Sequence, residues 1–354
     1  MSRFFHPRFA KLVPYVPGEQ PRDRKFIKLN TNESPYPPSK RATEAAKLEA
    51  ERLELYSDPT AKGLCEAFAK TVGVRPEEVM ATNGSDEILN FAFMAYCGTD
   101  RSAVFPDITY GFYPVFANLY GISYTEIPLR DDFTVDVEAI CKTPGTVFLA
   151  NPNAPTGIAL PISEIEKIIQ SHPNDVVVID EAYVDFGAES CAKLIPKYEN
   201  LLVTQTFSKS RSMAGARLGF GIGQASLIAD LQTIRNSTNP YNVNRMTMAA
   251  GIGALADEDY TKANCKAIMQ TRTKTAEALA EMGFAVLPSE TNFLFAKHQK
   301  IGGYELYRAL YERGILVRYF SAPRLKDYNR ITVGSPEQMD ALLRNIKELL
   351  EEIK

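Results

Sequence analysis

Histidine is scarce in this 354-residue chain, which carries only three: His6, His172 and His298. None lies near another in sequence, so a histidine-ligated metal or a Ser/His/Asp triad has little to build on. The five cysteines (Cys65, Cys97, Cys141, Cys191 and Cys265) are odd in number, widely spaced and never in a CxxC pair. That spacing argues against a disulfide framework and a zinc site, and fits a reducing, cytoplasmic setting. No metal is expected. Nowhere do about 18 apolar residues run together, as a membrane span requires, and "MSRFFHPRFAKLVPY" lacks the apolar run of a signal peptide. Lys/Arg-rich tracts with interleaved aromatics are missing and the net charge is -3, so nothing favours nucleic acid as a partner. A small-molecule partner is the expectation.

What is present is ordinary in amount, with 45% hydrophobic and 23% charged residues, and informative in order. The length suggests two lobes. "SAVFP", "GTVFLANP", "DVVVIDEAY" and "LLVTQTFS" read as strands apolar on both faces, as a covered parallel sheet needs. Helical patterns stand between them in "DEILNFAFMAYC", "GFYPVFANLYG" and "PISEIEKIIQSH". This alternation predicts a doubly wound α/β unit, in which ligands gather at the carboxyl ends of the strands. The last hundred residues predict an α+β lobe: a helix over about 259–283, strands in "AVLPS", "TNFLFAK", "ILVRYF" and "RITVGS", and an amphipathic final helix through Met339, Leu342, Ile346, Leu349 and Ile353. The Pro-rich "RDRKFIKLNTNESPYPPS" predicts an extended arm with one short strand. The expected division is an arm over 1–45, a large domain over 46–245 and a small domain over 246–354.

Four motifs fall where the sheet should end. In "ATNGSDEIL", the backbone N–H groups of Gly84, Ser85 and Asp86 are suited to a phosphate at a helix N-terminus, and equally to a plain N-cap. "NPNAPTG" sets two prolines and two asparagines directly after a buried strand. "VVVIDEAYVDF" ends an apolar strand in Asp180, Glu181 and Tyr183, a costly place for a carboxylate unless it meets a cation such as a protonated ring nitrogen. "TFSKSRSMAGARLGFG" supplies Lys209, whose amine is a competent Schiff-base nucleophile once desolvated, and Arg217, a fork for a phosphate. Together these match the needs of pyridoxal phosphate. The Gly-spaced "GFGIG" (219–223) is strand-like and follows the lysine segment, so a dinucleotide loop is rejected.

"LNTNESP", "NGSDEI", "DITYGFY", "NPNAPTG", "DEAYVDF", "TFSKSRSMAGARLGF", "PYNVN", "ETNF" and "RITVG" come in one order from about residue 12 onward. In that order the chain resembles the fold type I pyridoxal-phosphate aminotransferases, and within them it is most similar to the histidinol-phosphate aminotransferases. The resemblance implies a large mostly parallel sheet domain with a smaller α+β domain, and a ping-pong transfer of an amino group between histidinol phosphate and 2-oxoglutarate. It implies Lys209 as the cofactor lysine and proton carrier, Asp180 at the pyridinium nitrogen, Tyr183 at the ring's phenolic oxygen and Tyr110 on the ring face. Gly84, Ser85, Asp86, Ser208 and Arg217 would surround the phosphate, with Tyr56 arriving from the other subunit of a homodimer. Arg330, Arg318, Tyr15 and Asn32 would meet substrate; Arg318 is otherwise an exposed strand charge and Tyr15 a packed arm residue. Where the family has asparagine before Pro-Thr-Gly, this chain has Ala154, so that either Asn153 reaches the ring oxygen or Tyr183 acts alone. An aromatic amino acid aminotransferase is the nearest alternative. A non-catalytic relative would be marked by loss of the lysine, which is present.

Overall fold

The computed structural model describes residues 2–10, 12–21 and 24–352. Ile353, expected on the apolar face of the last helix, lies outside the described residues. The strands in chain order are β1 (Ile27–Lys28), β2 (Val79–Thr82), β3 (Ala103–Pro106), β4 (Tyr124–Ile127), β5 (Thr146–Ala150), β6 (Val177–Asp180), β7 (Leu201–Thr206) and β8 (Gly219–Gly223), then β9 (Phe284–Val286), β10 (Phe293–His298), β11 (Ile315–Leu316), β12 (Arg318–Tyr319) and β13 (Tyr328–Thr332). Seven of them form one sheet in the order β2-β8-β7-β6-β5-β3-β4. Only β8 runs against its neighbours. The expected mostly parallel α/β sheet is therefore present.

Alternation along each strand explains why both faces are covered. Val147, Leu149, Val177, Ile179, Leu201 and Val203 enter one apolar cluster, while Phe148, Val178 and Leu202 enter another on the opposite face. Phe68 stacks on Phe220 in the first cluster, with ring centroids 3.8 Å apart, and Phe93 stacks on Phe148 in the second at 3.9 Å. Helices Ser85–Tyr96 and Ile162–Ser171 occupy the segments that carry the helical pattern.

The C-terminal part has a core of its own, through Leu279, Leu294, Leu310, Ile331, Leu342 and Ile346. Its antiparallel sheet runs β12-β13-β10-β9. "ILVRYF" differs from the single strand expected of it: Ile315–Leu316 pairs in parallel with the arm strand β1, whereas Arg318–Tyr319 pairs with β13. The break at Val317 lets one short segment stitch the N-terminal arm to the C-terminal sheet. Helix Lys40–Glu49 lies so close to helix Arg245–Leu255 that a Cβ on Gly253 would stand 2.5 Å from the Arg41 carbonyl oxygen.

One close approach builds the site directly. Gly219 opens β8 beside Thr82 and Thr206, and a Cβ there would stand 2.3 Å from the Ser85 backbone nitrogen. Only glycine lets β8 run against the start of helix Ser85–Tyr96. Gly215 has nothing within 4 Å of its would-be Cβ. Gly219→Ala is expected to lower unfolding free energy by about 1–3 kcal/mol, and Gly215→Ala to stay within about 0.5 kcal/mol of the parent. Urea denaturation of the two variants measures both.

Candidate active site

The parallel strands deliver their carboxyl ends to one edge. Asp180 ends β6, and the Asn151 N–H, one residue past β5, donates to its carbonyl at 2.9 Å. Lys209 follows β7 by three residues, and Arg217 precedes β8 by two. Two cavities open there. One, of about 240 Å³, is lined by Ser85, Asp86, Tyr110, Asp180, Tyr183, Ser208, Lys209 and Arg217 among others. The second, of about 650 Å³, is lined by Tyr15, Asn32, Tyr110, Tyr183, Lys209, Arg318 and Arg330 among others. Tyr110, Tyr183 and Lys209 belong to both, so the cavities meet at the lysine.

Desolvation governs the charges. Burial, and then the nearby Arg330 guanidinium, bring the Lys209 amine down to about 8. Its Nζ donates to the Thr31 carbonyl at 3.3 Å. Burial, reinforced by the Asp86 carboxylate, pushes Asp180 up to about 7. Two donors oppose that rise: the Ala182 N–H reaches Oδ1 at 3.2 Å and the Tyr113 hydroxyl reaches Oδ2 at 3.3 Å. Asp180 is a carboxylate short of a cation.

At the other end of the smaller cavity, helix Ser85–Tyr96 begins after Gly84, whose φ of +82° suits glycine. The first-turn N–H groups of such a helix have no intrahelical acceptor and attract an anion. Arg217 bridges to the Asp86 carboxylate at 3.1 Å and to the Ser208 hydroxyl at 3.4 Å, and Ser208 also accepts from Thr206 at 2.9 Å. Asp86 accepts from the Tyr110 hydroxyl at 2.7 Å as well. Its carboxylate is thus occupied by Arg217 and Tyr110, and what it offers a phosphate is its backbone N–H. Burial holds the Tyr110 phenol far above its usual range, so it stays a donor.

Tyr183 is fixed differently. Asn32, in the left-handed region at φ +56°, donates its Nδ2–H to the Tyr183 oxygen at 2.9 Å. The Tyr183 proton is then free to be donated into the cavity. An acid-poised carboxylate, a desolvated amine, an aromatic face and an anion-binding helix end fit pyridoxal phosphate.

Arg318 and Arg330 stand directly opposite each other in the β12–β13 pairing. Arg330 donates to the Asn30 carbonyl at 3.1 Å, while its Nε is buried without a partner. Arg318 donates to the carbonyls of Val16 and Pro17 at 3.0 and 3.2 Å, which ties down the arm segment that carries Tyr15. The Tyr15 ring stacks on Phe112 with centroids 4.5 Å apart.

Three expected residues line neither cavity: Gly84, which caps the helix whose Ser85 and Asp86 do, Asn153 and Tyr56. Asn153 is buried with both amide hydrogens spent, on the Ile108 carbonyl and the Thr156 hydroxyl, and its oxygen accepts from Thr109. Its neighbour Ala154 lines both cavities, whereas Asn153 lines neither. Tyr56 is 78% exposed and stacks on Tyr241 at 4.6 Å, away from both cavities. Conversely, Thr31, Glu33 and Thr206 line the smaller cavity, and Tyr113 sits behind Asp180. The spacing in "TYGFY" displays Tyr113 three residues after Tyr110, but in sequence it reads as one more apolar position of a helix.

Residues 24–346 match the family model described as aminotransferase class I and II. The chain is 47% identical over 350 residues to a histidinol-phosphate aminotransferase of Acinetobacter baumannii (strain SDF), covering 98% of this chain and 97% of the relative. It is 48% identical over 355 residues to the histidinol-phosphate aminotransferase of Marinomonas sp. (strain MWYL1), covering 99% and 100%. Among solved structures, the histidinol-phosphate aminotransferase of Sinorhizobium meliloti in complex with pyridoxal-5'-phosphate superposes with a TM-score of 0.88 at 26% identity, covering 100% of this chain and 99% of that one. Lys209, Asp180 and Arg217 thus stand at the carboxyl edge of a sheet shared with these enzymes, and the chain belongs to the aminotransferase class I and II family.

Proposed function

We propose that this chain is a pyridoxal-phosphate aminotransferase that moves an amino group between L-histidinol phosphate and 2-oxoglutarate by a ping-pong route, in histidine biosynthesis. The carrying observation is the arginine pair. Like charges directly opposite across two strands repel, and Arg318 and Arg330 are so opposed in the cavity that also holds Lys209. A doubly charged phosphate relieves that repulsion, and the unpartnered Nε of Arg330 is a donor waiting for it. A carboxylate of the keto-acid acceptor suits the same fork.

The bound cofactor supplies an aldehyde for the incoming amine and a ring that accepts the electron pair left at the substrate carbon. Lys209 would hold the cofactor through Nζ, and the same amine, once released, would serve as the base that moves the substrate's proton. Its neutral fraction is substantial near pH 8, where a solvated lysine is almost wholly charged. Asp180 would keep a proton on the ring nitrogen by ion pairing. Tyr183 would donate its free O–H to the ring oxygen, a task it would carry alone given Ala154. Ser85, Asp86, Ser208 and Arg217 would hold the phosphate through two N–H groups, a hydroxyl and a guanidinium, and Tyr110 would lie against the ring. Asn32 orients Tyr183, and Tyr15, on the wall of the larger cavity, would meet the phosphate side of the substrate.

We also infer a homodimer with Tyr56 reaching the partner's cofactor. Its support is a run of exposed apolar side chains, Leu48, Leu53, Leu55, Tyr56, Tyr241 and Ile252, on or beside the packed helices Lys40–Glu49 and Arg245–Leu255. The proposed division remains an arm over 1–45, a large domain over 46–245 and a small domain over 246–354, and the five unpaired cysteines support a cytoplasmic setting.

The direct test is a half-reaction without keto acid, in which the visible band of the holoprotein is followed after histidinol phosphate or phenylalanine is added. Fast conversion with histidinol phosphate and slow conversion with phenylalanine is expected; the reverse order makes the chain an aromatic aminotransferase. Arg318→Ala is expected to weaken histidinol phosphate by about 10- to 100-fold, the worth of a charge-assisted hydrogen bond, and phenylalanine far less. An equal loss for both substrates removes the phosphate role.

The rate of pyridoxal phosphate capture by the cofactor-free protein is expected to rise with pH around a midpoint near 8, because only neutral Lys209 attacks. Arg330→Ala removes a neighbouring cation, so that midpoint should move upward. Stopped-flow absorbance across pH 6–10 measures both, and a downward move contradicts the electrostatic account.

A further inference from the structure

Tyr113 begins helix Tyr113–Tyr120, is completely buried and lines neither cavity. Its ring is fixed by aromatic neighbours: Phe105 at 5.7 Å, Tyr110 at 5.8 Å nearly edge-on, and Phe148 at 5.9 Å. A phenol O–H in such surroundings must find an acceptor. Tyr96 shows the ordinary solution, since its buried hydroxyl donates to the Leu227 carbonyl at 2.9 Å. Tyr113 instead donates to Oδ2 of Asp180, and its hydroxyl makes no other hydrogen bond among the described residues.

With Ala182 on Oδ1 and Tyr113 on Oδ2, each carboxylate oxygen of Asp180 has one protein donor, and lone pairs remain for one more. The two donors fix the carboxyl plane. A fully buried hydroxyl behind the carboxylate also draws off part of its charge.

We propose that Tyr113 is a positioning residue: its hydroxyl holds the Asp180 carboxylate from the side away from the cavity, so that the carboxylate's free lone pairs meet the cofactor's ring nitrogen. This rests on the role of Asp180 proposed above. Without the hydroxyl, the carboxylate is a stronger base. The proton shared between ring nitrogen and Asp180 then moves toward the oxygen, the ring loses positive charge, and Lys209 Nζ keeps its proton to a higher pH.

The experiment compares holoenzymes of the parent, Tyr113→Phe, Asp180→Asn and the double variant, since Phe keeps the ring packing and removes only the oxygen. Two readouts are taken: the pH midpoint of the visible cofactor band, and kcat and KM for histidinol phosphate. Tyr113→Phe is expected to raise the midpoint by about 0.5–1 pH unit and lower kcat about tenfold with KM within about twofold, the size of one hydrogen bond to a charged group. In the Asp180→Asn background, the same change is expected to alter kcat by less than about twofold, because a residue acting only through Asp180 has nothing left to act on. Equal effects in both backgrounds, or none in either, overturn the positioning role while the role of Asp180 stands. If Asp180→Asn by itself moves neither readout, the assignment of Asp180 fails and the inference falls with it.

Discussion

Desolvation at the carboxyl edge of the large sheet is the constraint on which the site depends. A buried acid and a buried amine each resist being charged, and the fold brings both to the same small cavity. Asp180 is pushed up to about 7 and Lys209 down to about 8, mainly by burial in each case. Neither is at rest in water-like chemistry. The acid gains most by meeting a cation, and the amine gains most by giving up its charge, as happens when it is joined to an aldehyde.

Two secondary electrostatic choices sharpen this. Asp86 is near enough to raise Asp180 further, yet its own charge is met by Arg217 and Tyr110, so the repulsion stays local. Arg330 lowers Lys209 from the other side while lacking a partner for its own buried Nε. The cation that prepares the lysine is therefore also the one proposed to receive the substrate's negative group. Binding an anion there offsets the very field that lowers the lysine, which links substrate arrival to proton affinity at Nζ.

Much of this was legible in the sequence because it is local. A strand that ends in Asp and runs on into Glu-Ala-Tyr, a lysine three residues past the next strand and a Gly turn before an acidic helix start are contiguous patterns, and the structure sets them at one sheet edge. What escaped depends on tertiary pairing. That Arg318 faces Arg330 follows from the break of "ILVRYF" between two sheets, which its apolar pattern does not reveal. Tyr113 reads as core, and is core; only its hydroxyl's direction gives it a second meaning. Asn153 was drawn toward the ring oxygen by its neighbourhood in sequence, but three local hydrogen bonds spend its amide on the loop itself.

With alanine at position 154, weight falls on a relay that joins three parts of the chain. The Thr332 hydroxyl on β13 donates to the Asn32 side-chain oxygen at 2.9 Å, and the Asn32 amide in turn donates to Tyr183 at 2.9 Å. Asn292 holds the Asn32 carbonyl at 3.0 Å. Tyr183 belongs to the large sheet's edge, Asn32 to the arm, and Thr332 and Asn292 to the C-terminal part. Arg330 sits two residues before Thr332 on the same strand, so the strand that carries this arginine is joined to Tyr183 by two hydrogen bonds. With no amide at position 154 to share the task, the orientation of the Tyr183 hydroxyl, proposed as the donor to the ring oxygen, is set by the strand that carries Arg330.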